Sequence, residues 1–171
     1  MAGRDLVVVK AMLVGDSNVG KTSLTDSICR NRQNKGVSTT DVDVINFRYT
    51  TFSNGPKEYH LYLSDVSGVQ RHRDFISSNY AWYNQMILVF DICSRDSFES
   101  LEKNWVPDVQ KLNSTCKFVL VGNKTDLMKY RSVSKEEALV FAQKLDCAYV
   151  EANSNFIDPL IDQMTIFNQI N

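Results

Sequence analysis

Between an apolar run at residues 6–14 and a helical pattern that starts at Lys21 stands the segment GDSNVGKT, residues 15–22. A strand leading through a glycine-containing turn straight into a helix is the context a phosphate-binding loop requires. It commits the chain to alternating strands and helices. Glycine lets the backbone curl so that successive N–H groups face one concavity, where they can hold the oxygens of a di- or triphosphate. Lys21 can then reach the terminal phosphates, and Thr22 can offer its hydroxyl to Mg²⁺.

Further strand-like runs follow at residues 86–91, 117–123 and 148–151, with helical patterns at 21–30, 97–111, 134–145 and 158–170. Ser134 and Glu137 read as a capping box. Residues 42–51 and 58–64 flank Asn54-Gly55-Pro56 and read as a hairpin that adds an antiparallel edge strand. The pattern predicts an α/β fold: a doubly wound, mostly parallel six-stranded sheet with one antiparallel edge strand and helices on both faces. A chain of 171 residues, 43% hydrophobic and without repeats or linkers, suits a single domain over 1–171.

The formal net charge of -1 comes without a basic stripe, so nucleic acid is not an expected partner and nucleotide is the anion with a visible site. Cys29, Cys93, Cys116 and Cys147 lack paired spacing and read as reduced, small apolar residues rather than disulfides or zinc ligands. No run reaches membrane-spanning length, and residues 1–5 lack the core of a signal peptide. Ala2 stands where myristoylation needs glycine, and no cysteine lies near the carboxyl end, so no lipid anchor is visible. The expected location is the cytoplasm, or the periphery of endomembranes where a tail or partner supplies the anchor.

In an open parallel sheet, ligands sit beyond the carboxyl ends of the strands. After the strand at 117–123 comes Asn123-Lys124-Thr125-Asp126. A carboxylate there can accept two hydrogen bonds from the ring N–H and exocyclic amine of guanine, a pair that adenine does not present. Sites built for such hydrogen bonds discriminate by roughly 10⁴ to 10⁵. The same residues also suit a solvated helix start. After the hairpin, Asp65-Val66-Ser67-Gly68 would put a carboxylate near a metal and a flexible N–H near a terminal phosphate, and it equally suits a plain turn.

In order and approximate spacing, GDSNVGKT, the Asp65 and Gly68 pair, and NKTD resemble the Ras superfamily of small GTPases over nearly the whole chain. GDSNVGKTSL, RHRDFISSNYAWY and MILVFDICSRDSFESLEKNW are most similar to its Rab branch. The resemblance implies a G domain that binds GTP and GDP with Mg²⁺ and hydrolyses GTP. Protein effectors and regulators would bind through switch regions 31–47 and 66–83, with a role in vesicle or other intracellular traffic. It implies phosphate contacts from Ser17, Asn18, Val19, Gly20, Lys21, Thr22 and Ser23. Metal contacts would come from Thr22, Asp65 and a first-switch threonine, Thr39, with adjacent Thr40 competing. Lys21, Thr39 and Gly68 would serve turnover. Asn123, Lys124 and Asp126 would form the guanine pocket, with Ser154 adding a backbone N–H and Asn155 beside it.

The chain departs from that family at several positions. Val69 stands where the family has the glutamine that orients the attacking water, and an aliphatic side chain cannot hydrogen-bond water. Losing one preorganised polar partner costs about 3 kcal/mol, on the order of a hundredfold or more in rate. Slow intrinsic hydrolysis is therefore expected unless neighbouring Gln70 substitutes. Residues 31–38 lack the aromatic that stacks on guanine, and Asn153-Ser154-Asn155 replaces Ser-Ala-Lys. Weaker nucleotide affinity and faster exchange follow. Ser64 and His72 replace family aromatics on the effector surface.

The competing function is a nucleotide-binding interaction module with little turnover. A nucleoside or nucleotide kinase would need an arginine-rich lid, which the later strands do not carry. His72 and His60 read as residues without a catalytic role, and Tyr80, Trp82 and Tyr83 mostly as core rather than a partner anchor.

Overall fold

The structure is a computed structural model that describes residues 5–31, 41–42, 44–69 and 72–166. Six long strands form the sheet: β1 Asp5–Val14, β3 Ile45–Asn54, β4 Lys57–Val66, β5 Gln85–Asp91, β6 Lys117–Asn123 and β7 Ala148–Glu151. A two-residue strand, β2 Asp41–Val42, extends the edge, giving the order β2-β3-β4-β1-β5-β6-β7. β3 is antiparallel to β4, and the strands from β4 to β7 are parallel. The six-stranded, doubly wound arrangement expected from the sequence is present.

Period-2 alternation divides the core between the two faces of the sheet. Val9, Ala11 and Leu13 of β1 and Ile87 and Val89 of β5 pack with Leu24 and Ile28 of α1 (Lys21–Asn31) and Leu160, Ile161 and Met164 of α6 (Asp158–Ile166). Met12, Val14, Met86, Leu88 and Phe90 face the opposite layer. That layer holds α2 Arg73–Ser77, α3 Arg95–Ser100, α4 Val106–Leu112 and α5 Lys135–Lys144. Since β1 lies between β4 and β5, its carboxyl end opens at the point where strand order reverses, the usual place for a ligand crevice.

Two local expectations are corrected. The helix expected over 97–111 is two helices joined by a π segment, Leu101–Trp105, in which the Val106 N–H bonds the Leu101 carbonyl. Pro107 explains the wide turn: its ring would collide with the carbonyl four residues earlier in an α-helix. Of the capping box, only half forms. Ser134 Oγ accepts from the Glu137 N–H at 3.1 Å, while the Glu137 carboxylate turns to Arg95 Nη2 at 2.9 Å. The hairpin turn is Gly55-Pro56, with Gly55 at φ +59°, as a first central glycine of a II′ turn requires. The last helix is described to Ile166, and residues 167–170 of the expected span lie outside the described residues.

The four cysteines are free, and burial pushes their thiols up, Cys29 and Cys147 to about 11 and Cys116 to about 12. Tyr80 is fully buried and Tyr83 packs partly against the core, whereas Trp82 is 71% exposed, so only two of the three aromatics serve as core. Among the described residues no helix is long and apolar enough to cross a membrane.

Candidate functional site

Positive φ angles at Gly15 (+142°), Asn18 (+64°) and Gly20 (+95°) curl the segment between β1 and α1 into a nest of main-chain amides. Two of these positions leave no room for a side chain. A Cβ at Gly15 would meet the Val89 carbonyl oxygen at 2.2 Å, and one at Gly20 would meet Asn123 Nδ2 at 2.3 Å. Lys21 folds back under the loop, its Nζ donating to the carbonyls of Gly15 at 2.9 Å and Asp16 at 2.7 Å. Burial pulls its ammonium down to about 8, against the attraction of Asp65 and Asp16. An incoming phosphate would favour the charged form again.

Asp65 closes the site from the end of β4. Its Oδ2 accepts from the Thr22 hydroxyl and from Asn46 Nδ2 at 3.3 Å, whereas its Oδ1 is buried without a hydrogen-bond partner. An orphaned carboxylate oxygen beside a threonine hydroxyl is a donor pair that fits a hard cation such as Mg²⁺. No group of three or more His, Cys, Asp and Glu that could hold a metal occurs among the described residues. That is compatible with Mg²⁺, which keeps waters and phosphate oxygens in its shell. Asn46 escapes sequence reasoning because its role depends on register: it stands directly opposite Asp65 in the β3–β4 pair.

The base-reading candidates lie at the ends of β6 and β7. Asn123 is buried, and its Nδ2 donates to the Val19 carbonyl at 2.7 Å, tying the NKTD strand end to the phosphate loop. Its Oδ1 is buried and unpartnered. Lys124 adopts φ +67° and pairs with Asp91 Oδ2 at 2.7 Å. Thr125 Oγ1 donates to the Ala152 carbonyl at 3.2 Å and accepts from Asn153 Nδ2 at 2.8 Å, so the loop after β7 is fastened to NKTD. Asp126, in the first turn of the 3₁₀ helix Thr125–Tyr130, and Ser154 and Asn155, in the loop after β7, are exposed.

A cavity of about 650 Å³ is lined by Ser17, Asn18, Gly20, Lys21, Thr22 and Ser23 on one side and by Asp65, Ser67, Gly68 and Lys124 on the other. The structure thus brings the phosphate-loop candidates other than Val19 together with Asp65, Gly68 and Lys124 around one space, whereas Asn123, Asp126, Ser154 and Asn155 do not line it. Val19 is buried beneath the loop. Thr39, Thr40 and Gln70 lie outside the described residues. At Gly68 an added Cβ would stand 2.1 Å from the Ser17 amide nitrogen, so the second-switch backbone packs directly on the phosphate loop. Val69 is 40% exposed.

Asp16 has a part that the motif alone does not reveal. Its Oδ1 accepts from Ser100 Oγ at 2.7 Å and from Trp105 Nε1 at 2.8 Å, anchoring the loop to α3 and the π segment. The second switch also carries a contact missed in the sequence: His72 Nδ1 lies 3.0 Å from Ser67 Oγ. No sequence signal marks either, because both join residues from separate turns or elements.

Comparison with known proteins agrees with this geometry. The family model described as the Ras family matches residues 10–162. The chain is 35% identical over 147 residues to Ras-related protein RABC1 of Arabidopsis thaliana, covering 85% of this chain and 68% of that protein. It is 34% identical over 147 residues to RABC2a of the same plant, covering 85% and 69%. To Ras-related protein SEC4 of Candida albicans it is 34% identical over 149 residues, covering 86% and 70%. A strand-loop-helix nest for phosphate, a carboxylate–threonine pair and an NKTD strand end, carried on a sheet of this order and matched by these relatives, mean that the chain belongs to the Ras family of small GTPases, as a Rab-like member.

Proposed function

We propose that this chain is a Rab-like guanine-nucleotide switch in intracellular traffic that binds GTP and GDP with Mg²⁺ and hydrolyses GTP slowly. The observation that carries the reading is the single cavity in which the amide nest, Lys21, the Thr22–Asp65 pair and Gly68 meet beside Lys124 of NKTD. In this reading the nest and Lys21 hold the phosphates, and Thr22 and Asp65 hold Mg²⁺ directly or through water, with Thr39 joining them from the first switch. The metal's contribution is to neutralise charge on the transferring phosphoryl oxygens. Asn123 positions the phosphate loop through Val19, Asp126 accepts from guanine, and Ser154 offers its N–H.

The Gly68 N–H reports the γ-phosphate and carries that information to the second switch. Val69 has no group to orient water, and this is the reason for slow turnover. The exposed Val69 side chain equally supports a second reading, an interaction module that binds nucleotide without cycling. Measuring GDP and GTP affinity together with single-turnover hydrolysis, for the native chain and Val69→Gln, tests the first reading. No guanine-nucleotide affinity would sink both, and partner binding that is the same in the GDP and GTP states would sink the switch.

A further inference from the structure

The second switch holds a hydroxyl and an imidazole that the proposed switch cycle does not use. Ser67 lines the nucleotide cavity immediately before Gly68, and its Oγ lies 3.0 Å from His72 Nδ1. Its main chain is fixed by the Ser67 N–H donating to the Val44 carbonyl at 2.8 Å, and the Val69 N–H donates to Ser67 Oγ at 3.3 Å. A hydroxyl within hydrogen-bond reach of a base, with a main-chain donor beside it to steady charge on the oxygen, has the makings of an activated nucleophile. The rival nucleophile, water, has lost its positioning group at Val69. A held intramolecular group can reach effective concentrations on the order of 10⁵ M or more when well oriented.

We propose that Ser67 is an internal phosphoryl acceptor, with His72 receiving its proton. The inference rests on the GTP-binding reading above. Ser67 Oγ forms a bond to the γ-phosphorus as the bond from that phosphorus to the β–γ bridging oxygen breaks. The electron pair of the broken bond stays with GDP, and the hydroxyl proton passes to His72 Nδ1. The products are GDP and a chain phosphorylated at Ser67, and His72 then returns its proton to solvent.

The test incubates the full chain and Mg²⁺ with GTP labelled at the γ-phosphate or, in parallel, at the α-phosphate, and maps any label retained after denaturation by mass spectrometry. GDP and GTP affinity is measured for every variant, separating label lost with binding from label lost with chemistry. Label from the γ-position alone, on Ser67 and absent from Ser67→Ala, is expected. His72→Ala should slow labelling by about a hundredfold, with added imidazole restoring part of the rate, which a merely structural histidine would not allow. A chain that binds GTP yet gains no label, or is labelled elsewhere, overturns the inference alone. Undiminished labelling in His72→Ala overturns the role of His72 and with it the dyad. A chain that binds no guanine nucleotide overturns the GTP-binding reading together with this one.

Discussion

Replacing Gly68 by alanine puts a methyl group 2.1 Å from the Ser17 nitrogen and 2.2 Å from the Asp16 carbonyl carbon, both of them backbone atoms. Ordinary contact begins near 3.4 Å, so the second switch must retreat from the phosphate loop by roughly 1 Å or more. A hydrogen bond of about 2.9 Å stretched that far no longer counts as one. The Gly68 N–H is the group proposed to meet the γ-phosphate, and a hydrogen bond to a charged acceptor contributes about 1.5–3 kcal/mol. Affinity for a non-hydrolysable GTP analogue should therefore fall about ten- to a hundredfold. GDP lacks the γ-phosphate, and its affinity should hold nearly constant. Competition against a fluorescent GDP yields both constants from one preparation. An unchanged ratio of the two affinities, whether both fall or neither does, would refute the assignment of Gly68 as the γ-phosphate sensor.

Val69→Gln should raise single-turnover hydrolysis by about a hundredfold, and an unchanged rate would show that water positioning is not what limits turnover. Asn123→Ala leaves the Val19 carbonyl without its 2.7 Å donor. It should cost about 1–3 kcal/mol, read as a lower denaturation midpoint of nucleotide-free protein, and an unaltered midpoint would remove the clamp role. The Glu151 carboxyl is raised by burial, but hydrogen bonds from Arg131 and Tyr149 outweigh this and hold it below its ordinary range. A carboxyl depressed in the folded state adds stability that is complete above its unfolded value, about 4.3, and is lost as pH falls through the folded one. Glu151→Gln should accordingly flatten the acid limb of a stability–pH curve, and identical acid limbs would contradict the linkage.

Elements whose order is set by local pattern were legible in the chain. β1, β6 and β7 show continuous or near-continuous apolar runs, and Ser134 marks the start of α5 by its hydroxyl. Pairwise geometry was not legible. Pro107 was a legible cue that one unbroken α-helix does not run over 97–111, but the π form of the turn before it was not. Glu137 abandons the capping box because Arg95, 42 positions away in sequence, offers a charge-assisted partner. In the site the same division holds. GDSNVGKT and NKTD read as motifs because each carries its candidate binding groups on consecutive residues. Asn46, Asp16 and the Ser67–His72 pair act through partners set by register, helix packing or a turn, and single-chain pattern carries no record of those.

In the proposed cycle, binding and turnover would rest on different contacts of this fold. The phosphate loop is held by Asn123 from β6 and by Ser100 and Trp105 through Asp16, none of which belongs to the second switch. The second switch has contacts of its own, Ser67 with His72, with the Val69 amide and with the Val44 carbonyl, and meets the loop directly at the bare backbone of Gly68 and indirectly where Arg73 lies 4.7 Å over the Trp105 ring. In the proposed cycle, valine at position 69 would remove water positioning without loosening the grip on phosphate, because among the described residues no hydrogen bond that shapes the nest involves the Val69 side chain. A partner that inserts a polar group beside Val69 would meet a site already assembled for binding, and the rate it restores would come from positioning alone.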